Sequence, residues 1–486
     1  MPDESIQCHA DASTCDSISS VTVPIVFVPG VMGSRLDIIA GRNWDPDSPN
    51  TEMSTWLSLT NTGRQTTRRA LRAAGRGAPG TPAIVKSDLP WDYSNSPTTQ
   101  VYSNDRCRKI GARQVGDDKS DIGNYYGRLR NWGSVSWGFY GALLIFLESQ
   151  LNHEDEPQFP VYACGYDWRQ SNTVSGLKIN DFIRQVVGRH SPSASDVIVV
   201  THSMGGLAVR AGIGVDNSIN QKIRGVIHGL QPSLGAVTCY RRFLTGASAP
   251  VDNDSGQDYF LNRIMGTTGP HYAYNLSGCP GPLQLLPNHL YSSAAGTWLQ
   301  GLDSSQDLGA IYGIYRQGGL PGIAGIVATG EDQFGTIEDK KAHSVRADFA
   351  ANLTAAENLH KALEHTAHPS TYVLYSTGLR TDHSITFNNL SGTISDGEPP
   401  PQPWAVEGVG GLDLHDLSSD IVYHKLPTGD GTVPEESAKC PALSSASFAA
   451  PVAAAQALEH SKAYADPAFQ ALTLSFVQRL LTPTPP

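Results

Sequence analysis

Apolar residues along this chain come as short unbroken runs separated by stretches of helical period. VTVPIVFVPG (21–30) is a β-branched run closed by Pro-Gly, which predicts a buried strand entering a glycine-containing turn. SWGFYGALLIFLESQL (136–151) predicts a helix, VYACGYDW (161–168) a strand and SGLKINDFIRQVVGRH (175–190) an amphipathic helix. DVIVVTHS (196–203) is the next strand, MGGLAVRAGIG (204–214) the next helix and KIRGVIHGLQP (222–232) a further strand. TYVLYSTG (371–378) reads as a returning strand, TGDGTVP (428–434) as a strand-end loop and PAFQALTLSFVQRLL (467–481) as a final amphipathic helix. Strands alternating with helices of this length form right-handed βαβ units, so the expected fold class is α/β, a mostly parallel sheet covered by helices on both faces.

The pattern breaks twice. Residues 40–130 replace periodic apolar positions with Ser, Thr, Pro, Gly and Arg, and residues 235–370 lose periodicity amid Gly, Pro, Asn and Tyr. The expected organisation is a polar tail (1–20), a core built from 21–39, 131–234 and 371–486, an irregular lid-like insertion (40–130) and a cap insertion (235–370). Insertions rising from one edge of a parallel sheet commonly cover a site at the strands' carboxyl ends.

Composition narrows the function classes. With 40% apolar and 17% charged residues over 486 positions, the chain is globular rather than disordered. A net charge of −11 opposes a nucleic-acid partner, which needs a clustered basic face. The basic cluster Arg64, Arg68, Arg69, Arg72 and Arg76 has the spacing of a solvated helix face, the alternative being a site for anionic lipid or a partner. The seven cysteines (Cys8, Cys15, Cys107, Cys164, Cys239, Cys279, Cys440) lie far apart without a CxxC pair. No zinc or thioredoxin-like site is expected, and one or two disulfides would leave at least one thiol over. There is no HExxH, no GxxxxGK[ST] and no GxGxxG after a strand, and GVGGL (408–412) lies in a loop-like context, so no cofactor and no catalytic metal are expected, a structural cation in the cap being left open. MPDESIQCHADASTCDS at the amino terminus has acidic residues where a Sec signal carries positive charge, and runs such as GALLIFL (141–147) are too short to cross a bilayer. The expectation is a cytoplasmic protein, peripheral to membranes at most, unless exported by a non-Sec route or after loss of a signal. Asn-x-Ser/Thr triplets at Asn275, Asn352 and Asn389 carry meaning only for a secreted chain.

The junction VVTHSMGG (199–206) carries the chemistry. A buried strand ending on Ser203, with Gly205 and Gly206 behind it, has the form of a nucleophile elbow, G-x-S-x-G, with Thr201 in place of the first glycine. A serine that merely caps the following helix would read the same locally. A serine hydroxyl becomes nucleophilic when an imidazole takes its proton and a carboxylate orients that imidazole. In elbow enzymes the order is Ser, Asp or Glu, then His. Asp430 sits in the glycine-flanked loop TGDGTVP, and His460 is the one histidine that follows it. His202 adjoins the serine but points away from it at a tight elbow, so it reads as packing. Asp382-His383 is a rival acid–base pair placed before the acid loop.

These residues resemble the lecithin:cholesterol acyltransferase family of α/β-hydrolase lipases and acyltransferases. The resemblance rests on PIVFVPGVMGSRL (24–36), YDWR (166–169), HSMGGL (202–207), LQPSLGAVTCYRRFLTG (230–246) with LLPN (285–288), and GDGTVP (429–434) followed by EHSKAY (459–464). It implies Ser203 as nucleophile, Asp430 as acid and His460 as base, with an oxyanion hole from the amides of Met204 and of Met32 or its neighbour Val31. Asp167 and Arg169 in YDWR form either part of the pocket wall or an ion pair tying loops together.

The expected function is hydrolysis of a lipid or other bulky carboxylic ester through an acyl-enzyme, by an esterase, lipase or phospholipase. Transfer of the acyl group to an alcohol uses the same residues, the acceptor being decided by water exclusion. An exported antibacterial phospholipase and a ligand-binding pseudoenzyme are the competing readings. The expected partner is a lipid or ester, with peripheral contact to a lipid interface; oligomeric state is open.

Overall fold

The computed structural model describes residues 21–39, 42–44, 84–85, 130–152, 158–247, 265–266, 268–302, 307, 310–335, 344–388, 421–439 and 452–482. Six strands, β1 (Ile25–Val28), β2 (Val161–Ala163), β3 (Val197–His202), β4 (Ile223–Gly229), β5 (Thr371–Thr377) and β6 (Val452–Gln456), form one sheet in the order β6-β5-β4-β3-β1-β2. Every neighbouring pair is parallel. The chain starts in the interior at β1, steps to the β2 edge, returns across β1 to β3 and then proceeds outward. The order therefore reverses between β1 and β3, which opens a crevice at their carboxyl ends.

Successive residues of a strand face opposite sides, and here both sides are buried. Val26, Val28, Val197, Val199 and Val226 enter one core, while Ile25, Phe27, Ile198, Val200 and Ile227 enter the other. Helices α1 (Trp137–Leu151) and α8 (Pro467–Leu481) cover the second face, and α2 (Asn172–Arg189) and α3 (Met204–Val215) the first. Continuous apolar runs, rather than alternating ones, are what a strand buried on both faces requires. Ser171 caps α2 by accepting from the Thr173 amide, and Asp466 caps α8 by accepting from the amides of Ala468 and Phe469.

The stretch 235–370 corrects the expectation of lost pattern. It holds helices α4 (Val237–Thr245), α5 (Gly269–Leu276), α6 (Ala324–Phe334) and α7 (Val345–Leu363), among shorter ones. In α7 the buried positions include Val345, Phe349, Asn352, Leu353, Ala356, Leu359, His360 and Leu363, a helical stripe. Asn, Ala and His within the stripe dilute its apolar signal. The helices share the core that covers the α2–α3 face, from Val26 to Phe349. Arg210 of α3, 1% exposed, donates to the carbonyls of Leu363 and Thr366 at the end of α7. A second sheet pairs Leu299–Gln300, Thr381–Phe387 and Ile421–Leu426, and a third pairs Leu36–Ile39 with Arg42–Trp44 and Ile84–Val85.

Asn275 and Asn352 are buried and donate to the carbonyls of Met265 and Ser277, so their triplets are packing residues. Cys164 and Cys239 are free thiols. The tail 1–20, the arginine cluster 64–76, GVGGL, Asn389 and Cys8, Cys15, Cys107 and Cys440 lie outside the described residues, as does all of 40–130 apart from three short pieces. Among the described residues no helix is long and apolar enough to cross a membrane.

Candidate active site

The loops leaving β1 and β3 meet at the crevice, and each contains a non-glycine residue forced to positive φ: Met32 (63°) and Ser203 (51°). Such backbone costs on the order of 1–3 kcal/mol and persists only where the surroundings impose it. At Ser203 the cause is the abrupt turn from β3 into α3, with the Ser203 amide donating to the Gly229 carbonyl of β4 at 2.9 Å. Gly205 allows that turn to pack against the first loop, since a Cβ there would lie 2.4 Å from the Pro29 carbonyl oxygen. Thr201 fits where the elbow pattern has glycine. Its hydroxyl meets His228 Nδ1 at 2.9 Å, and its carbonyl accepts from the Tyr464 hydroxyl at 2.9 Å.

The strand-end loops after β3, before α8 and around residue 430 bring three side chains into one line. His460 Nε2 lies 2.9 Å from Ser203 Oγ, and His460 Nδ1 lies 2.6 Å from Asp430 Oδ2. Asp430, 1% exposed, has its other oxygen held by the amides of Thr432 (2.9 Å) and Val433 (2.7 Å). The Thr432-Val433 step of GDGTVP thus fixes the carboxylate, and the His460 amide donates to the Asp430 carbonyl at 2.9 Å. A carboxylate accepts only, so Nδ1 carries the proton and Nε2 is left to accept from the serine hydroxyl. This arrangement can move a proton from Ser203 to His460 while Asp430 compensates the charge formed.

Of the oxyanion candidates, Met204 is the first residue of α3, among the amides that a helix leaves without an intrahelical partner. Val31 and Met32 lie in the turn closed by the Gly33 amide on the Gly30 carbonyl at 3.1 Å. The Gly30 amide donates to the Tyr140 hydroxyl at 3.2 Å, so neither glycine amide competes for the role.

The other candidates occupy different positions. Asp382 accepts from Arg241 at 2.7 Å in a buried pair, and strand pairing shifts register across His383. Asp167 and Arg169 form a buried two-bond ion pair, with both contacts at 2.8 Å. His202 lies against His460, the two rings 4.9 Å apart. Burial first, and then the neighbouring His460, hold its pKa well below the usual histidine value. Sequence reasoning passed over Tyr140 and Tyr464, which flank His202. Tyr464 stood within EHSKAY, whereas Tyr140 carried no local signal.

A doubly covered parallel sheet with a strained serine at the strand-to-helix turn beside its switch point is an α/β-hydrolase fold, with an added cap. The lecithin:cholesterol acyltransferase family matches residues 155–443, more than half of the chain, and the chain belongs to that family. No curated protein matches the chain in sequence. Among solved structures, a chain of "The crystal structure of Tle4-Tli4 complex" is similar over 95% of this chain and 99% of its own, with a TM-score of 0.60 and 18% identity. That likeness is one of fold.

Proposed function

We propose that this protein is a serine esterase or lipase acting on lipid or other bulky carboxylic esters through an acyl-enzyme on Ser203. The observation that supports it best is the unbroken hydrogen-bond line Asp430–His460–Ser203. As His460 Nε2 takes the hydroxyl proton, Ser203 Oγ attacks the ester carbonyl. Asp430 stabilises the imidazolium, and the amides of Met204 and of Met32 or Val31 receive the oxyanion. One such donor is worth about 3 kcal/mol of barrier in comparable sites. Collapse expels the alcohol, which takes its proton from His460. Water, or an acceptor alcohol in the transferase version, then attacks the acyl-enzyme with His460 again as base. Mass spectrometry after fluorophosphonate labelling tests the reading: the label is expected on Ser203, and absent from Ser203→Ala. Equal labelling of the two would overturn it.

A second reading is an exported antibacterial phospholipase. The solved neighbour's title describes a two-protein complex, the kind of pairing by which a producing cell would hold a membrane-degrading enzyme in check. Toxicity on periplasmic targeting that is lost in Ser203→Ala is the expected sign.

A further inference from the structure

Hydrogen bonds beneath the candidate triad run in one direction. His202 Nε2 lies 3.0 Å from the backbone carbonyl of His460, and His202 Nδ1 lies 2.8 Å from the Tyr140 hydroxyl. The Gly30 amide lies 3.2 Å from the same hydroxyl. A carbonyl cannot donate, so Nε2 holds the imidazole proton. Burial disfavours the charged form of His202, so Nδ1 accepts from Tyr140, whose oxygen in turn accepts from Gly30. The chain of contacts spans four separate segments: the loop after β1, helix α1, the strand end that precedes the serine, and the loop before α8 that carries His460.

We propose that Tyr140 and His202 are positioning residues, a relay that ties the first loop at Gly30 to the backbone of His460 and so sets its imaginable swing to the one orientation that reaches Ser203. The inference rests on the triad proposed above. Both backbone groups of His460 are then tethered, the amide to the Asp430 carbonyl at 2.9 Å and the carbonyl to His202. The relay is itself confined. The His202 ring is met edge-on by Tyr140 at 5.5 Å and Tyr464 at 5.6 Å. The first loop rests directly on it, since a Cβ on Gly30 would lie 3.0 Å from His202 Nδ1 and 2.9 Å from Ser203 Cβ. Because His202 is bonded to Ser203 through one peptide, the base is positioned from the nucleophile's own strand.

Two measurements test the relay. His202→Phe keeps an aromatic ring and removes both hydrogen bonds, and is expected to lower kcat about 10- to 100-fold with little change in KM, the size expected for a small misplacement of a catalytic group. His202→Gln, which retains a donor and an acceptor, is expected to recover part of the loss, and Tyr140→Phe to show a smaller loss. Independently of turnover, imidazole 15N NMR of the Ser203→Ala protein is expected to show His202 neutral with its proton on Nε2, and Tyr140→Phe in that background to shift the Nδ1 resonance. Fluorophosphonate labelling separates the two proposals. Labelling of Ser203 together with native kcat in His202→Phe, or a His202 proton found on Nδ1, overturns the relay and leaves the triad. Failure of the native protein to label at Ser203 overturns the triad reading on which the relay rests.

Discussion

Asp430 and Asp382 are both buried, both lie near the sheet's carboxyl end of the fold, and each had a histidine to pair with, yet their surroundings give them opposite uses. Asp430 has one oxygen on the amides of Thr432 and Val433 and the other on His460. Asp382 has one oxygen on Arg241, while the other is buried without a hydrogen-bond partner among the described residues. An imidazole accepts and returns a proton near neutral pH, whereas a guanidinium remains charged throughout. The first carboxylate can therefore take part in proton transfer, and the second can only neutralise a buried cation. Proximity in sequence did not decide the outcome: His383 follows Asp382 directly and is skipped by the strand pairing, while His460 arrives from thirty residues away.

The contrast can be broken in several ways. The largest effect is expected from Ser203→Ala or His460→Ala, each lowering kcat by about three or more orders of magnitude in ester hydrolysis without loss of folding. Asp430→Asn is expected to lower kcat by about 100- to 10,000-fold, with a thermal midpoint close to that of the native protein, since the amide can still accept from the Thr432 and Val433 amides. Asp382→Asn reverses that profile. It removes the negative charge from the buried Arg241–Asp382 pair and is expected to cost about 3–5 kcal/mol in urea unfolding, with the activity of the folded fraction retained.

An effect of similar size, spread over about two pH units, follows from buried histidines that are kept neutral. Burial, the larger cause in both, pushes His228 down to about 3 and His360 to about 4. Below about 6.5 the unfolded chain takes up protons that these sites in the fold refuse, so stability falls as pH drops from 6.5 towards 4. The slope is about 1.4 kcal/mol per pH unit for each histidine, readable from urea midpoints at pH 7 and pH 5. His383→Ala is expected to change neither activity nor stability measurably, and a loss of activity there would return Asp382-His383 to contention.

How much of this was legible in the sequence depended on the range of the interactions involved. β3 and the serine stood out because an unbroken apolar run ending in Ser-Met-Gly-Gly is a local statement. The candidate acid loop and candidate base were narrowed by chain order, because a single histidine follows Asp430. Helix α7 was missed although its buried stripe has the helical period, since Asn352, Ala356 and His360 occupy core positions; the polar side chains of Asn352 and His360 find partners far along the chain, Asn352 on the Ser277 carbonyl and His360 on Tyr312 and the Gln284 carbonyl. Tyr140 was invisible for the same reason: within α1 it reads as one more apolar position, and its hydroxyl acquires meaning only against Gly30 and His202.

The amino-acid sequence alone made legible strands β1 to β5, helices α1, α2, α3 and α8, the strand-to-helix turn at Ser203 and a short set of candidate acid and base residues, because apolar periodicity and turn chemistry act over a few residues; the alanine-rich edge strand β6 (Val452–Gln456) carried no such signal. Tertiary structure decided which aspartate meets an imidazole and which meets a guanidinium, and how the backbone of His460 is held. Those choices are made across separations such as the 257 positions between Ser203 and His460, where packing of the whole sheet, rather than any local preference, brings the groups within a hydrogen bond.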